Sequence, residues 1–112
     1  MAQLAVQQLT QAGQTVTTAA AAAGGDQFVN TGHEILEVMN ASASPITVTI
    51  HQQMPCDLGG VSPTHDLVVS VAAGATDLIG PIDVGHYNDA SGNVHVAYSA
   101  VTSVTVGVFR AR

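Results

Sequence analysis

The stretch "EILEVMNASASPITVTI", residues 34–50, decides the fold class of this chain. In its second half, Ile46, Val48 and Ile50 alternate with polar residues, which is typical of a strand with one buried face. Its first half predicts a strand over residues 35–40, with Leu36, Val38 and Asn40 on one face and Ile35, Glu37 and Met39 on the other. The turn-forming residues "ASASP" separate the two segments. The stretch therefore predicts two consecutive β-strands.

Further short strands follow towards the C-terminus. The segments "LVVSV", "TDLIGPI", "VHVAYS" and "SVTVGVFR" are rich in β-branched residues and are bounded by turn-forming residues. A long loop, "QMPCDLGGVSPTHD", precedes them. A total of about seven or eight short strands with turn signals between them is typical of a sandwich or small barrel. We therefore expect an all-β chain that folds as a β-sandwich or jelly-roll-like single domain.

The N-terminal third lacks this regular alternation. The alternation of Leu4 and Val6 fits an extended arm, whereas the spacing of Ala5, Leu9 and Ala12 also suits a short helix that ends at Gly13. The segment "TVTTAAAAAGGD" that follows predicts a strand leading into a flexible loop. An extended and a partly helical arm are both open at this point. Residues 24–32 contain paired glycines and predict a loop. We expect an N-terminal arm and loop over residues 1–32 and a β-sandwich domain over residues 33–112.

Charged residues are scarce in this sequence. They make up 9% of the chain, lysine is missing, and the net charge is −6. Phosphate contacts come from Lys and Arg, so a nucleic-acid partner is not expected. No apolar run approaches the roughly 18 residues of a membrane span, and the N-terminus has neither the basic start nor the apolar run of a secretory signal. A surface this poor in charge suits either permanent contact with neighbouring proteins or an uncharged monomer.

The polar residues of the loops do not form a recognisable catalytic or metal-binding motif. Asp83, His86 and Asp89 lie at intervals of three, which on an extended segment directs neighbouring members to opposite faces. Asp89 is better explained as a turn residue ahead of "ASGN". Cys56 is the single cysteine, so no intrachain disulfide or cysteine-based zinc site is expected. We expect a non-enzymatic protein with no catalytic residue, no cofactor and no metal.

Four segments resemble small structural proteins of tailed bacteriophages. They are "VQQLTQAG", "AAAAAGGDQFVNTGHEILEVMNASASPITVTI", "LVVSVAAGATDLIGPI" and "YNDASGNVHVAYSAVTSVTVGVFR", and together they cover nearly the whole chain. The loop over residues 53–66 departs from the pattern of that group. The resemblance implies a virion protein that decorates or cements the head shell, with a β-sandwich or jelly-roll fold and no catalytic residues.

The resemblance also implies partners and a location. The expected partners are the major capsid protein and further copies of the chain in a homotrimer, with no nucleic acid and no membrane. The expected location is the capsid surface of the virion, after synthesis in the host cytoplasm. The alternatives are a head–tail connector or tail structural protein, and a carbohydrate- or cell-surface-binding β-sandwich module. The residues expected to contact the capsid or a neighbouring subunit are Leu4, Val6, Leu9, Phe28, Met54, Pro55, His65, His86 and Tyr87.

Overall fold

The computed structural model describes residues 2–53 and 66–110, which form an all-β fold of two sheets. Within these residues there are ten strands and one helical turn, α1 (Val84–Tyr87). The strands are β1 (Ala2–Gln3), β2 (Val6–Gln8), β3 (Ala19–Ala20), β4 (Asp26–Val29), β5 (Glu34–Asn40), β6 (Ile46–Ile50), β7 (Leu67–Val71), β8 (Thr76–Ile79), β9 (Asn93–Tyr98) and β10 (Val104–Arg110).

The strands divide into two sheets that pack as a sandwich. Sheet A has the order β1-β4-β9-β6-β7, and sheet B has the order β2-β10-β5-β8, with β3 also pairing with β10. The consecutive strands β5 and β6 therefore lie in different sheets. Asn40 anchors this crossing, because its side-chain amide donates to the carbonyl oxygens of Ser44 (2.9 Å) and Val71 (3.1 Å). The expected all-β sandwich-like fold is confirmed.

The hydrophobic core lies between the inward-facing rows of the two sheets. Burial alternates along β5 and β6 with the predicted period of two. In β6 the apolar side chains are buried and Thr47 and Thr49 are half-buried. In β5 the buried face also includes Glu34 and Asn40, and the outer face includes the exposed Met39. Each large buried apolar side chain typically contributes about 1.5–3 kcal/mol. The fully buried apolar residues are Leu36, Val38, Val106 and Val108 from sheet B and Phe28, Val48, Ile50, Val71, Val94 and Val96 from sheet A.

Residues 2–32 contribute β1, β2, β3 and β4 to the two sheets, which corrects the expectation that residues 24–32 form a loop. β1 pairs parallel with β4 in sheet A, and β2 pairs parallel with β10 in sheet B. Asp26–Val29 lies in the expected loop but forms β4, which pairs with β9. No helix occurs in residues 2–32. These strands are two to four residues long, too short for a period to show in the sequence.

Residues 16–18 form a short strap across the outer side of β10. A Cβ atom added at Gly107 would lie 2.9 Å from the carbonyl oxygen of Thr17, so only glycine allows this approach. The side chain of Gln7 holds the strap in place: its Nε2 donates to the Thr17 carbonyl (2.8 Å), and its Oε1 accepts from the Thr17 amide (2.6 Å). Residues 16–18 thus cover the outer side of β10 at Gly107.

Candidate interaction surfaces

Two of the predicted contact residues belong to the core instead of the surface. Leu4 is 9% exposed and Phe28 is 0% exposed. Because β1, β2 and β4 pair with the two sheets, these side chains turn inward and are not available to a partner. Val6 and Leu9 are half-buried at the edge of sheet B, where Val6 pairs with Val108. Met54, Pro55 and His65 lie outside the described residues.

His86 and Tyr87 lie on α1, where the chain coils instead of running extended. Asp83 caps this turn, since its Oδ1 accepts from the amide of Gly85 at 3.3 Å. The coil brings Asp83 and His86 into direct contact, which corrects the expectation that they diverge. The hydrogen bond from the His86 ring lowers the pKa of the Asp83 carboxyl. His86 remains exposed, while Tyr87 packs against the core.

Asp89 is a turn residue, as the sequence predicts. Its Oδ1 accepts from the amides of Ser91 (2.8 Å) and Asn93 (2.9 Å), which fixes the turn before β9. Its Oδ2 lies 2.6 Å from Nε2 of His95. The amide of Asn93 and the His95 ring together hold the pKa of Asp89 below its ordinary value.

A third His–Asp pair lies near these two. Nδ1 of His51 is 3.3 Å from Oδ2 of Asp66. Main-chain hydrogen bonds connect the pairs, because the amide of His51 donates to His95 and the amide of Gln53 donates to His86. Each carboxylate contacts one imidazole, and Asp66 and Asp89 also bond to residues at the ends of strands, whereas the contacts of Asp83 stay within its own helical turn. In the described part of the chain, no three side chains of His, Cys, Asp or Glu are grouped to hold a metal ion.

The outer side of sheet A forms a surface without Asp, Glu, Lys or Arg side chains, which we call the uncharged face. It crosses all five strands of the sheet, and none of its outward positions carries Asp, Glu, Lys or Arg. Thr49 lies near its centre, paired with Ala97 on one side and Val68 on the other. The members of the uncharged face are Gln3, Gln27, Val29, Thr47, Thr49, Val68, Ser70, Asn93, His95 and Ala97.

Hydrogen bonds between side chains order part of the uncharged face. Nε2 of Gln27 donates to Oε1 of Gln3 at 2.8 Å, and Nε2 of Gln3 donates to Oδ1 of Asn93 at 3.1 Å. Amide side chains that are already fixed lose less conformational entropy when a partner binds. Asp66 and Asp89 lie beside this surface, and each contacts a histidine.

The outer side of sheet B has a different character. It carries the carboxylate of Glu37, whose strand neighbour is the exposed Leu78 (61% exposed). The strap over residues 16–18 covers β10 at Gly107. The two sides of the sandwich therefore differ, and only sheet A presents an open surface free of formal charge within the described residues.

The sequence indicated some members of the uncharged face but not the face itself. The alternation in "ITVTI" shows that Thr47 and Thr49 point away from the core. Gln27 lies in a segment expected to be a loop. That β4, β9, β6 and β7 are neighbours follows only from the sheet order, for which the sequence carries no local signal.

None of the described helices has the length or the apolar character of a membrane span. No family model, no curated protein and no solved structure matches this chain.

Proposed function

We propose that this chain is a non-enzymatic decoration protein of a phage head. It binds the major capsid protein on the outer shell through the uncharged face and stabilises the shell by covering its subunits. The observation that supports this proposal is an open five-stranded surface without formal charge on a chain whose net charge is −6. The acidic residues of the described chain lie in the core, in loops or on sheet B instead.

The physical reason is the cost of removing charge from water. Burying an unpaired charged side chain costs several kcal/mol, so the centres of stable interfaces are depleted in charge. Thr, Ser, Asn and Gln exchange hydrogen bonds with water for hydrogen bonds with a partner at a smaller cost. A surface of this composition suits permanent contact with another protein.

The copy number in the particle tests the proposal first. We expect hundreds of copies per virion in particles of the phage that encodes the chain, measured by quantitative mass spectrometry of gradient-purified heads. Purified chain should also rebind heads that lack it. Six or twelve copies per particle would indicate the head–tail connector or tail alternative, and failure to rebind such heads would overturn the decoration role.

A matched pair of variants tests the surface. Thr49→Lys places a charge near the centre of the uncharged face, and we expect it to weaken binding to heads by at least about tenfold, since the charge must be desolvated. Thr76→Lys places the same charge on the outer side of sheet B and should leave binding unchanged. Thermal unfolding of both variants controls for folding. Equal binding by the two variants would assign docking to another surface.

The carbohydrate-binding alternative has less support. Such modules stack sugars on exposed aromatic rings. Phe28 is fully buried, and Tyr87, Tyr98 and Phe109 are half-buried. All aromatic residues of the chain lie among the described residues.

A further inference from the structure

The edge strands of the two sheets differ in how well they are protected against pairing with a strand of another chain. β1, β2 and β3 are only two or three residues long, and β8 carries Asp77 and ends next to Gly80-Pro81. β7 has five residues, contains no charge, proline or glycine, and exposes Val68 by 60%. Natural sheets normally blunt such an edge with charge, proline or a bulge. β7 lacks these devices and pairs with only β6 among the described strands.

The hydrogen-bond pattern shows which groups of β7 point outward. The carbonyl of Thr47 accepts from Ser99, and the amide of His51 donates to His95, so the odd-numbered residues of β6 bond towards β9. Its even-numbered residues therefore bond towards β7, where Val48 faces Val69. The main-chain N–H and C=O groups of Val68 and Ser70 consequently point away from the sheet.

The sequence of β7 is compatible with antiparallel pairing to itself. With Val69 opposite Val69 of a second copy, Leu67 faces Val71 and Val68 faces Ser70. In this register every outward N–H and C=O of Val68 and Ser70 forms a hydrogen bond with the second copy. We call the line where the two β7 strands meet the seam. The two-fold axis is perpendicular to the sheet, so the outer sides of both copies face the same way. Asp66, the acidic residue nearest to β7 in sequence, stays outside the paired segment.

We propose that β7 is a self-association edge, at which two copies of this chain join their sheets A into one continuous sheet. A second copy is the occupant that the self-complementary register favours, and the absence of charged side chains on β7 places no like charges opposite each other when two chains of net charge −6 meet there. The seam lies at the β7 border of the uncharged face, so pairing joins the uncharged faces of the two copies and doubles the width of this surface. The symmetry is that of a dimer, in place of the trimer implied by the phage resemblance. The proposal does not rest on the proposed function.

The seam is small, which sets the expected affinity. Single-strand pairing buries less surface than the roughly 1,200–2,000 Å² of a stable interface. We therefore expect a dissociation constant in the micromolar range, measured by sedimentation equilibrium of the full chain from about 1 to 200 µM. Two variants with equal numbers of introduced charges test the register. V68E/S70E places like charges opposite each other and should raise the dissociation constant at least about tenfold.

V68K/S70E places opposite charges across the same pairs. It should keep the dissociation constant within about threefold of the original chain at low salt, and 1 M NaCl should weaken it. T76E/L78E, on the other long edge, serves as the matched control and should dimerise normally. Circular dichroism and thermal unfolding confirm that each variant folds.

Several results would overturn the proposal. A monomer at every concentration would do so, as would a trimer that V68E/S70E leaves intact, or a dimer that both charge variants weaken equally. Hydrogen exchange gives a second reading: the amides of Val68 and Ser70 should become protected as the concentration rises. Protection of these amides in the monomer would show that the edge is already covered. Since no capsid takes part, failure of the docking experiments would leave this result unaffected.

Discussion

At the scale of single residues, Glu34 is a buried carboxylate with several hydrogen-bond donors around it. It is 0% exposed, at the start of β5. It accepts from the amide of Thr31 at 2.6 Å and the amide of His33 at 3.2 Å, and Nε of Arg110 donates to it at 2.5 Å. Burial by itself raises the pKa of Glu34, but these hydrogen bonds outweigh burial, and the pKa lies below its ordinary value.

Glu34→Gln tests this carboxylate. We expect the free energy of unfolding at pH 7 to fall by about 1–3 kcal/mol, because the charge-assisted hydrogen bonds are lost. A carboxyl with a lowered folded pKa stabilises the fold above its ordinary pKa and loses that contribution as the pH falls through the folded pKa. The difference between original and variant should therefore shrink below the ordinary value of 4.5.

Urea unfolding at several pH values measures this difference. Glu37→Gln is the matched control: it lies on the same strand, is half-exposed and should change stability little. If Glu34→Gln lowers the free energy of unfolding by the same amount at pH 7 and at pH 3, the packing of the side chain and not its charge stabilises this site.

At the scale of elements, the strap and β10 depend on one glycine. A Cβ atom at Gly107 would meet the Thr17 carbonyl at 2.9 Å and the side chains of Thr18 and Val16 at 3.3 and 3.4 Å. The main chain of the strap must then move, because β10 is held by β5 on one side and by β2 and β3 on the other. Two hydrogen bonds from the Gln7 side chain hold the strap against β10. We therefore expect the strap, and not β10, to move.

We expect Gly107→Ala to release the strap and to destabilise the chain by about 1–3 kcal/mol, as overpacking typically does. Limited proteolysis should then cleave near residues 16–18 sooner, while the core amides of β5 keep their protection. Gly24→Ala provides the control, since an added Cβ meets nothing within 4 Å there. If Gly107→Ala is cleaved no faster than the original chain, the strap accommodates the added Cβ atom without being released, which would contradict the prediction.

At the scale of the whole molecule, the N-terminal segment closes both sheets at once. β1 covers the edge of β4 in sheet A, while β2 and β3 share the edge of β10 in sheet B. Leu4, between β1 and β2, adds its side chain to the core. The opposite side of the sandwich keeps longer strands, β7 and β8, at its edges. The two sides therefore differ in their capacity to pair with another chain.

Deletion of residues 2–8 should expose the edges of β4 and β10. We expect the free energy of unfolding to fall by at least about 2 kcal/mol, the usual effect of removing one buried leucine side chain. We also expect aggregation that increases with protein concentration. Leu4→Ala separates the two effects, since it removes the side chain but keeps the edges covered. Thermal unfolding and light scattering report each effect. Equal aggregation of the two variants would contradict the role of β1 and β2 as edge covers.

Local patterns account for much of the fold but little of the candidate surface. The strands in residues 34–50 were predictable because side chains of a strand alternate with a period of two, which is visible in any short window. The turn at Asp89 was predictable because its side chain bonds to amides two and four residues ahead. The coil at α1 was missed, since four residues do not display a helical period.

The sequence by itself determined which side chains of β6 face the core, the scarcity of charge, and the all-β class. Only the tertiary structure decided that β5 and β6 separate into different sheets, that Phe28 is a core residue, and that strands distant in sequence form one uncharged face. The physical reason is that main-chain hydrogen-bonding groups are the same in every strand. Partner choice therefore depends on how the whole core packs, and no local window contains that information.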